Sequence, residues 1–511
     1  MILRYHMQVS PRLRSRSVAA LETLCDGLGV RAVSTRSGAS AELIYSASRP
    51  ARMLESAIWI RHDPQTEIGP EQLGANMDRA LREIASLSRG SQAILEDLLQ
   101  LVWSLASGEA ERTLPRNAFG VPMLAGPEAA FLRRPLISEA VEGLARALAV
   151  RHPSFEGRIK RWPGGAQAAF MLTHDVDAPY RRPRGAFYRN RMVRDLKNGN
   201  VRQALHALAG WTRIRIKDGR SLPAAEDPNF GFEFWRQVEE GLGGRGCFYV
   251  AVRSADEPGA HPADVPYHAA DPEMVAAMRA LTRAGWEIGL HASIHAARDP
   301  GRFAREKEQL EALLDGAPVR GVRHHYWALN GERPRETWRA QKAAGFAYDS
   351  SLGTNDAPGF RRGVAWPVFT GPDCVLQVPP TLMDGAIFYE QPTPEEGESA
   401  IRTHLQQVFA LGGAANLDWH LEQSNAGRLS GAGPALLRAL SAVRGRSDIW
   451  VTTPGDMAAW WEVRRQRRLA IGTVRERIVA SPSRKAVRPP VSPRVSPFSR
   501  EASRSESSTR P

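Results

Sequence analysis

Residues 271–295 read DPEMVAAMRALTRAGWEIGLHASIH: a helix over 272–284, then a strand over 287–291 that ends on a histidine. The same alternation extends to both sides. Strands are expected at 168–173, 247–252, 319–323, 346–348, 375–378, 414–419 and 449–452, with helices at 304–314, 397–410 and 434–443. Short strands separated by helices of about 10–15 residues make parallel βαβ units, in a doubly wound sheet or a barrel. In either architecture, active residues collect at the C-terminal ends of the strands.

Four clusters fall at such ends. The first is Thr173-His174-Asp175-Val176-Asp177. Residues two apart in a strand point the same way, so Asp175 and Asp177 face one point and His174 the other. Carboxylates that close repel each other and favour a cation beside them, although an exposed acidic turn has the same pattern. The second cluster carries His291 and His295, which share a face if the strand turns into a helix there. Neutral imidazole is a preferred ligand for zinc and its neighbours. The third, Gly321-Val322-Arg323-His324-His325-Tyr326, offers a guanidinium that can hold a carboxylate ionised. At most one of its adjacent histidines faces the pocket. In the fourth, Asn416-Leu417-Asp418-Trp419-His420, a carboxylate can tune a histidine; a core histidine is the competing reading. An Asp, two His and an open position mark a catalytic rather than a structural metal. Nucleotide-binding glycine loops and the GxSxG elbow are absent in any supporting context.

Composition narrows the class. The chain has 511 residues and a net charge of +13. The basicity is local: 461–511 carries +9 and 181–220 carries +10, which leaves the rest at −6. No zinc finger, RNP motif or recognition helix accompanies it, so nucleic acid is not an expected partner. In 181–220, Trp211, Ile214 and Ile216 lie among Arg213, Arg215 and Lys217, a composition suited to an anionic membrane or a phosphate-bearing substrate. A solvated basic helix covering the barrel mouth fits it slightly better. Cys25, Cys247 and Cys374 are scattered and form neither a disulfide framework nor a thiolate site. The N-terminus lacks an apolar h-region, and the apolar run 93–106 is too short to span a bilayer. The expected location is therefore cytoplasmic, with 181–220 and the basic C-terminal tail as the segments that could meet an anionic membrane at its inner face.

Three regions follow: an N-terminal α/β domain (1–155), a catalytic region (165–465) with the basic insertion 181–220, and a Ser/Pro/Arg-rich tail (469–511) expected to be disordered. In the first, strands are expected at 42–45 and 57–60. Leu95, Leu98, Leu99, Val102 and Leu105 form a helical stripe, and His62-Asp63 reads as a solvated loop.

The order and spacing of THDVD (173–177), EIGLHASIH (287–295), GVRHHY (321–326), GFAYDSSLG (345–353), GFRRG (359–363) and WH (419–420) resemble the polysaccharide deacetylase (NodB-homology, carbohydrate esterase 4) superfamily, in its branch with a Thr-His-Asp-Val-Asp first motif. The resemblance covers 167–465. It implies a distorted (β/α)7 barrel and a divalent metal, most often zinc. By position it makes Asp175 the general base, Asp177, His291 and His295 the metal ligands, Arg323 the arginine that positions the base, and His420 the acid that protonates the leaving amine. Tyr326, Asp349 and Trp419 would contact substrate. The implied reaction is hydrolysis of an N-acetyl group from an amino sugar in a polysaccharide or in its lipid- or nucleotide-linked precursor. Two departures stand out. Val176 separates the first-motif aspartates, so base and ligand are assigned by order and can exchange roles. His324-His325 follows the third-motif arginine where many members have proline, so the sugar groove differs. An amidase of the same fold acting on a small non-peptide C–N bond, and a catalytically silent glycan-binding barrel, are the alternatives.

Overall fold

The computed structural model describes residues 1–472 except 63–69, 90–93, 182–184, 198, 200, 203, 206–207, 210–211, 213–221, 332, 372, 391, 425–428 and 430. Asp63, Trp211, Ile214, Ile216 and the tail beyond 472 therefore lie outside the described residues. Two sheets organise the rest.

The smaller sheet is parallel throughout, in the order β2-β1-β3-β4-β5, built from β1 (Ile2–Gln8), β2 (Arg31–Ser34), β3 (Leu43–Ser46), β4 (Ile58–Arg61) and β5 (Leu95–Glu96). Leu3, Tyr5 and Met7 alternate inward along β1. The leucine stripe begins later than its spacing predicts. Leu95 belongs to β5, Asp97 adopts a left-handed backbone (φ 47°), and the helix is Leu98–Ser107. Asp is one of the few side chains that tolerates that conformation. His62 is buried rather than solvated, 3.2 Å from the Tyr45 hydroxyl and 3.3 Å from Asp97.

The larger sheet runs in the order β11-β10-β9-β8-β7-β6-β13-β12. Its strands are β6 (Ala168–Val176), β7 (Cys247–Val250), β8 (Glu287–Ala292), β9 (Gly321–His324), β10 (Tyr348–Asp349), β11 (Leu376–Gln377), β12 (Leu382–Met383) and β13 (Ala414–Asp418). A further strand, β14 (Ile449–Val451), pairs with the first half of β6, and β7 continues along its second half. All these ladders are parallel. Every residue of β6 and β8 is buried, as expected of parallel strands covered on both faces.

Where a distorted (β/α)7 barrel is expected, the strands form an open, curled parallel sheet. No ladder joins β11 to β12 among the described residues. The four residues between them are Val378-Pro379-Pro380-Thr381, and two prolines there have no N–H to give. Side chains bridge the seam instead: Ser350 Oγ and Asn416 Nδ2 both donate to the Val378 carbonyl, at 2.9 and 3.1 Å.

The N-terminal end of the curl is filled. Tyr249 and Tyr348 cross the interior and share a 3.0 Å hydroxyl contact, and Tyr348 donates to the buried Glu287 at 3.1 Å. Gly289 and Gly321 stand where a Cβ would strike those two rings. The chemical residues gather at the opposite, C-terminal ends. Residues 1–155 do not stand apart: Met1–Ile471 is one compact unit, whose core joins Leu24, Leu105 and Leu144 to Ala169, Trp366 and Trp461. Among the described residues no helix is long and apolar enough to cross a membrane.

Burial also sets a pH response. His404, on the helix Pro394–Ala410, is enclosed against Phe360 with Nε2 2.8 Å from Thr381 Oγ1, and burial lowers its pKa to about 4. The unfolded chain takes up this proton below its ordinary value near 6.5, whereas the folded chain resists until about 4. The stability linked to His404 is thus full above pH 6.5 and lost as pH falls toward 4, by about 3 kcal/mol. Denaturant unfolding at pH 7 and pH 4 should show the gap between wild type and His404→Gln shift by that order in favour of the variant. An unchanged gap would mean the ring is not enclosed.

Candidate metal and catalytic centre

Asp175 and Asp177 leave the end of β6 on the same side, and His174 leaves on the other. His174 lies between Trp235 and Phe248, with Nε2 3.0 Å from Glu239 and Nδ1 2.7 Å from the Trp419 carbonyl, and is structural. On the inner side, Asp177 Oδ1 lies 3.2 Å from His291 Nε2, and Asp177 Oδ2 lies 3.3 Å from His325 Nε2. One donor atom from each of these three residues falls within 4.8 Å of the others, and so could hold a metal ion. A second group, Asp175, Asp418 and His420, meets the same criterion.

The first group fits a small divalent cation. His291 Nδ1 sits 3.1 Å from the Arg323 carbonyl, which fixes a proton on Nδ1 and turns the Nε2 lone pair inward. That Nε2 and Asp177 Oδ1 are buried and lack a hydrogen-bond partner among the described residues. Tetrahedral donors about 2.0–2.1 Å from a metal stand about 3.4 Å apart, close to the observed spacings. Burial opposes ionisation of Asp177, but His325, His291 and His420 around it hold its pKa well below the usual carboxylate range.

Arg323 is fully buried at the end of β9 and organises the neighbouring carboxylates. Its Nη1 donates to Asp175 Oδ1 at 2.8 Å and to Asp418 Oδ1 at 2.9 Å; its Nη2 donates to Thr173 Oγ1 and Ser350 Oγ at 2.8 and 3.0 Å. The guanidinium also lies 4.1 Å above the Tyr249 ring. Burial works against its charge, but the two carboxylates outweigh that and raise its pKa. Asp418 shares a single nitrogen with Asp175, and burial with the Asp175 charge pushes its pKa up. The two carboxylates therefore compete for one guanidinium nitrogen.

His420 takes its carboxylate from Asp384 rather than Asp418. Nδ1 lies 2.9 Å from Asp384 Oδ1, the His420 backbone N–H donates to Asp384 Oδ2 at 2.8 Å, and Nε2 reaches to 3.5 Å from Asp177. Burial disfavours the imidazolium, yet Asp384 and Asp177 hold its pKa well above the ordinary value.

Of the residues expected from sequence, Asp175, Asp177, His291, Arg323 and His420 converge here. His295 does not. Ser293 is held by Glu306 through both N–H and hydroxyl, the Ile294 N–H donates to Asp264 at 3.1 Å, and the chain enters a 3-10 turn, Ile294–Arg298, instead of an α-helix. The His295 ring is turned outward, 5.4 Å from His261. His325 occupies the third donor position, and His324 points into the apolar layer beside Phe303, where burial lowers its pKa to about 3. Tyr326 stands at the rim, stacked on Phe119 at 4.1 Å. Asp349 is buried outside the group, accepting from Gln341 and Ser351 at 2.9 and 2.6 Å, and burial pushes its pKa up to about 6. Trp419 is fully buried in the core near Phe388. Arg361 and Arg362 of GFRRG clamp the buried Glu111, with contacts from 2.6 to 3.1 Å.

No protein-family model and no curated protein matches the chain. Among solved structures it is similar to a Mycobacterium smegmatis protein assigned as a polysaccharide deacetylase, with 21% identity over 65% of this chain and 97% of that one, at a TM-score of 0.38. It is also similar to the Puue allantoinase, with 15% identity over 59% of this chain and 93% of that one, at a TM-score of 0.37.

Proposed function

We propose that the chain is a metal-dependent hydrolase of C–N bonds and, within that class, removes N-acetyl groups from an amino-sugar polysaccharide or its lipid- or nucleotide-linked precursor. One observation carries this reading: a three-donor group with orphaned buried acceptors lies beside an arginine-held carboxylate and a carboxylate-held histidine. Two imidazoles and a carboxylate suit zinc. When bound by Asp177, His291 and His325, the ion would polarise a carbonyl and make water more acidic.

The remaining chemistry belongs to the side chains. Asp175 keeps Oδ1 tied to Arg323, which leaves Oδ2, 3.7 Å from His291 Nε2, to accept a proton from the attacking water. His420, protonated and oriented by Asp384, can donate from Nε2 to a leaving nitrogen. The exposed Val193, Leu196, Val201 and Leu205, near Arg189, Lys197 and Arg202, support contact with an anionic membrane surface at the inner face.

Acetate release from a panel of N-acetylhexosamine substrates tests the reading. Asp175→Asn should keep the metal and lower turnover by about 10²–10⁴-fold. Protein without bound divalent metal, or an Asp175→Asn variant as active as wild type, would sink it. Amine release from small amides without acetate would favour an amidase.

A further inference from the structure

Next to this centre lies a cavity of 1180 Å³ that the reaction as derived does not use. Its wall carries Arg112, Arg116, Arg298, His261 and His295 and, among the described lining residues, no carboxylate. It adjoins the metal group through an aromatic path: the ring of the donor His325 lies 4.3 Å from Tyr326, Tyr326 stacks on Phe119 at 4.1 Å, and Phe119 lines the cavity 6.3 Å from His261. Tyr326 reaches this position from a left-handed backbone (φ 56°), an unfavourable conformation for a bulky residue.

One of the three arginines is held in place by the loop that carries it. Asn117 Oδ1 accepts from the Phe119 and Val121 N–H groups at 2.9 and 3.0 Å and shapes the loop. Arg116 is tied back by the Gly120 and Glu111 carbonyls at 2.7 and 3.3 Å, and Glu111 is itself fixed by Arg361 and Arg362. Arg112 and Arg298 are exposed and neither pairs with a carboxylate among the described residues, so both are open to an anion that enters the cavity. Three arginines lining one cavity match a multiply charged oxyanion better than a single carboxylate.

We propose that this cavity is a subsite for a phosphoryl group carried by the substrate, so that the sugar presented to the metal group is a sugar phosphate or diphosphate rather than a neutral polymer. The identity of the reaction rests on the hydrolase reading above; binding of the anion does not.

Calorimetric titration of the metal-loaded, full-length protein with inorganic phosphate should show binding that weakens at least tenfold in Arg112→Ala/Arg298→Ala, with metal content unchanged. Absence of binding to wild type, or equal binding to the variant, overturns the proposal. Acetate release is then compared for a nucleoside diphosphate N-acetylhexosamine, a prenyl diphosphate N-acetylhexosamine and a neutral N-acetylhexosamine oligomer. The variant should raise KM at least tenfold for whichever diphosphate is used, which separates the two sources, and leave the neutral oligomer within twofold. Faster turnover of the neutral oligomer than of both diphosphates overturns it too. Phosphate binding that depends on the two arginines, with no acetate from any substrate, would instead overturn the deacetylase reading and keep the subsite.

Discussion

Arg323→Ala should destabilise the fold by about 3–5 kcal/mol, among the largest single-residue effects in the chain. The side chain is fully buried, and its two terminal nitrogens serve two carboxylates and two hydroxyls. Truncation leaves Asp175 and Asp418 in a low-dielectric space without a counter-charge, and also removes the cation over Tyr249. The cost is mostly that of the stranded partners, not the net worth of the ion pair. Two companions separate these contributions. Arg323→Lys restores the charge but cannot reach Thr173 and Ser350 with a planar fork, so it should recover only part of the loss. Asp418→Asn removes the carboxylate that competes with Asp175 for one nitrogen and should lie within about 1 kcal/mol of wild type. Denaturant unfolding with an unchanged m-value is the measurement. An Arg323→Ala midpoint equal to wild type would contradict the pairing.

How far the sequence foretells this centre depends on the range over which each contact forms. β6, β8 and β13 are fully buried, largely apolar strands that carry Asp175, His291 and Asp418 at or near their C-terminal ends, and burial on both faces makes such strands easy to read. β12 is two residues long and follows two prolines, so it carries no periodic signal. Asp384 meets His420 across 36 residues, and nothing in the local text of either marks the other. β1 escapes notice because Arg4 and His6 break its apolar run, although Leu3, Tyr5 and Met7 alternate as a half-buried strand requires. The basic surplus is legible by arithmetic, but its use is not: the arginines of the cavity wall come from 112–116 and 298, outside both basic segments. Arg323 is the opposite case. Arg323 and Asp175 are 148 residues apart, yet each stands at the end of an apolar strand, and a buried guanidinium and a carboxylate at neighbouring strand ends have a single strong electrostatic solution that the fold adopts.

His325→Ala should weaken metal binding by at least about 100-fold, while His295→Ala should leave it within twofold. The two histidines divide the reading from sequence spacing from the reading of geometry. Four residues apart, His291 and His295 share a face only if an α-helix starts at the end of β8. Glu306 and Asp264 instead capture the Ser293 and Ile294 N–H groups, and the resulting 3-10 turn sends His295 out of the group. His325 follows β9 directly, and its Nε2 is drawn in by the same Asp177 carboxylate that faces His291. Competition against a chromophoric chelator, with metal content measured after dialysis, ranks the variants. His291→Ala, common to both readings, is the positive control. If His295→Ala strips the metal and His325→Ala retains it, the ligand set is Asp177, His291 and His295. The turn at Ile294–Arg298 must then rewind when the ion binds, breaking the Asp264 contact to Ile294; Asp264→Asn would in that case tighten metal binding rather than leave it unchanged.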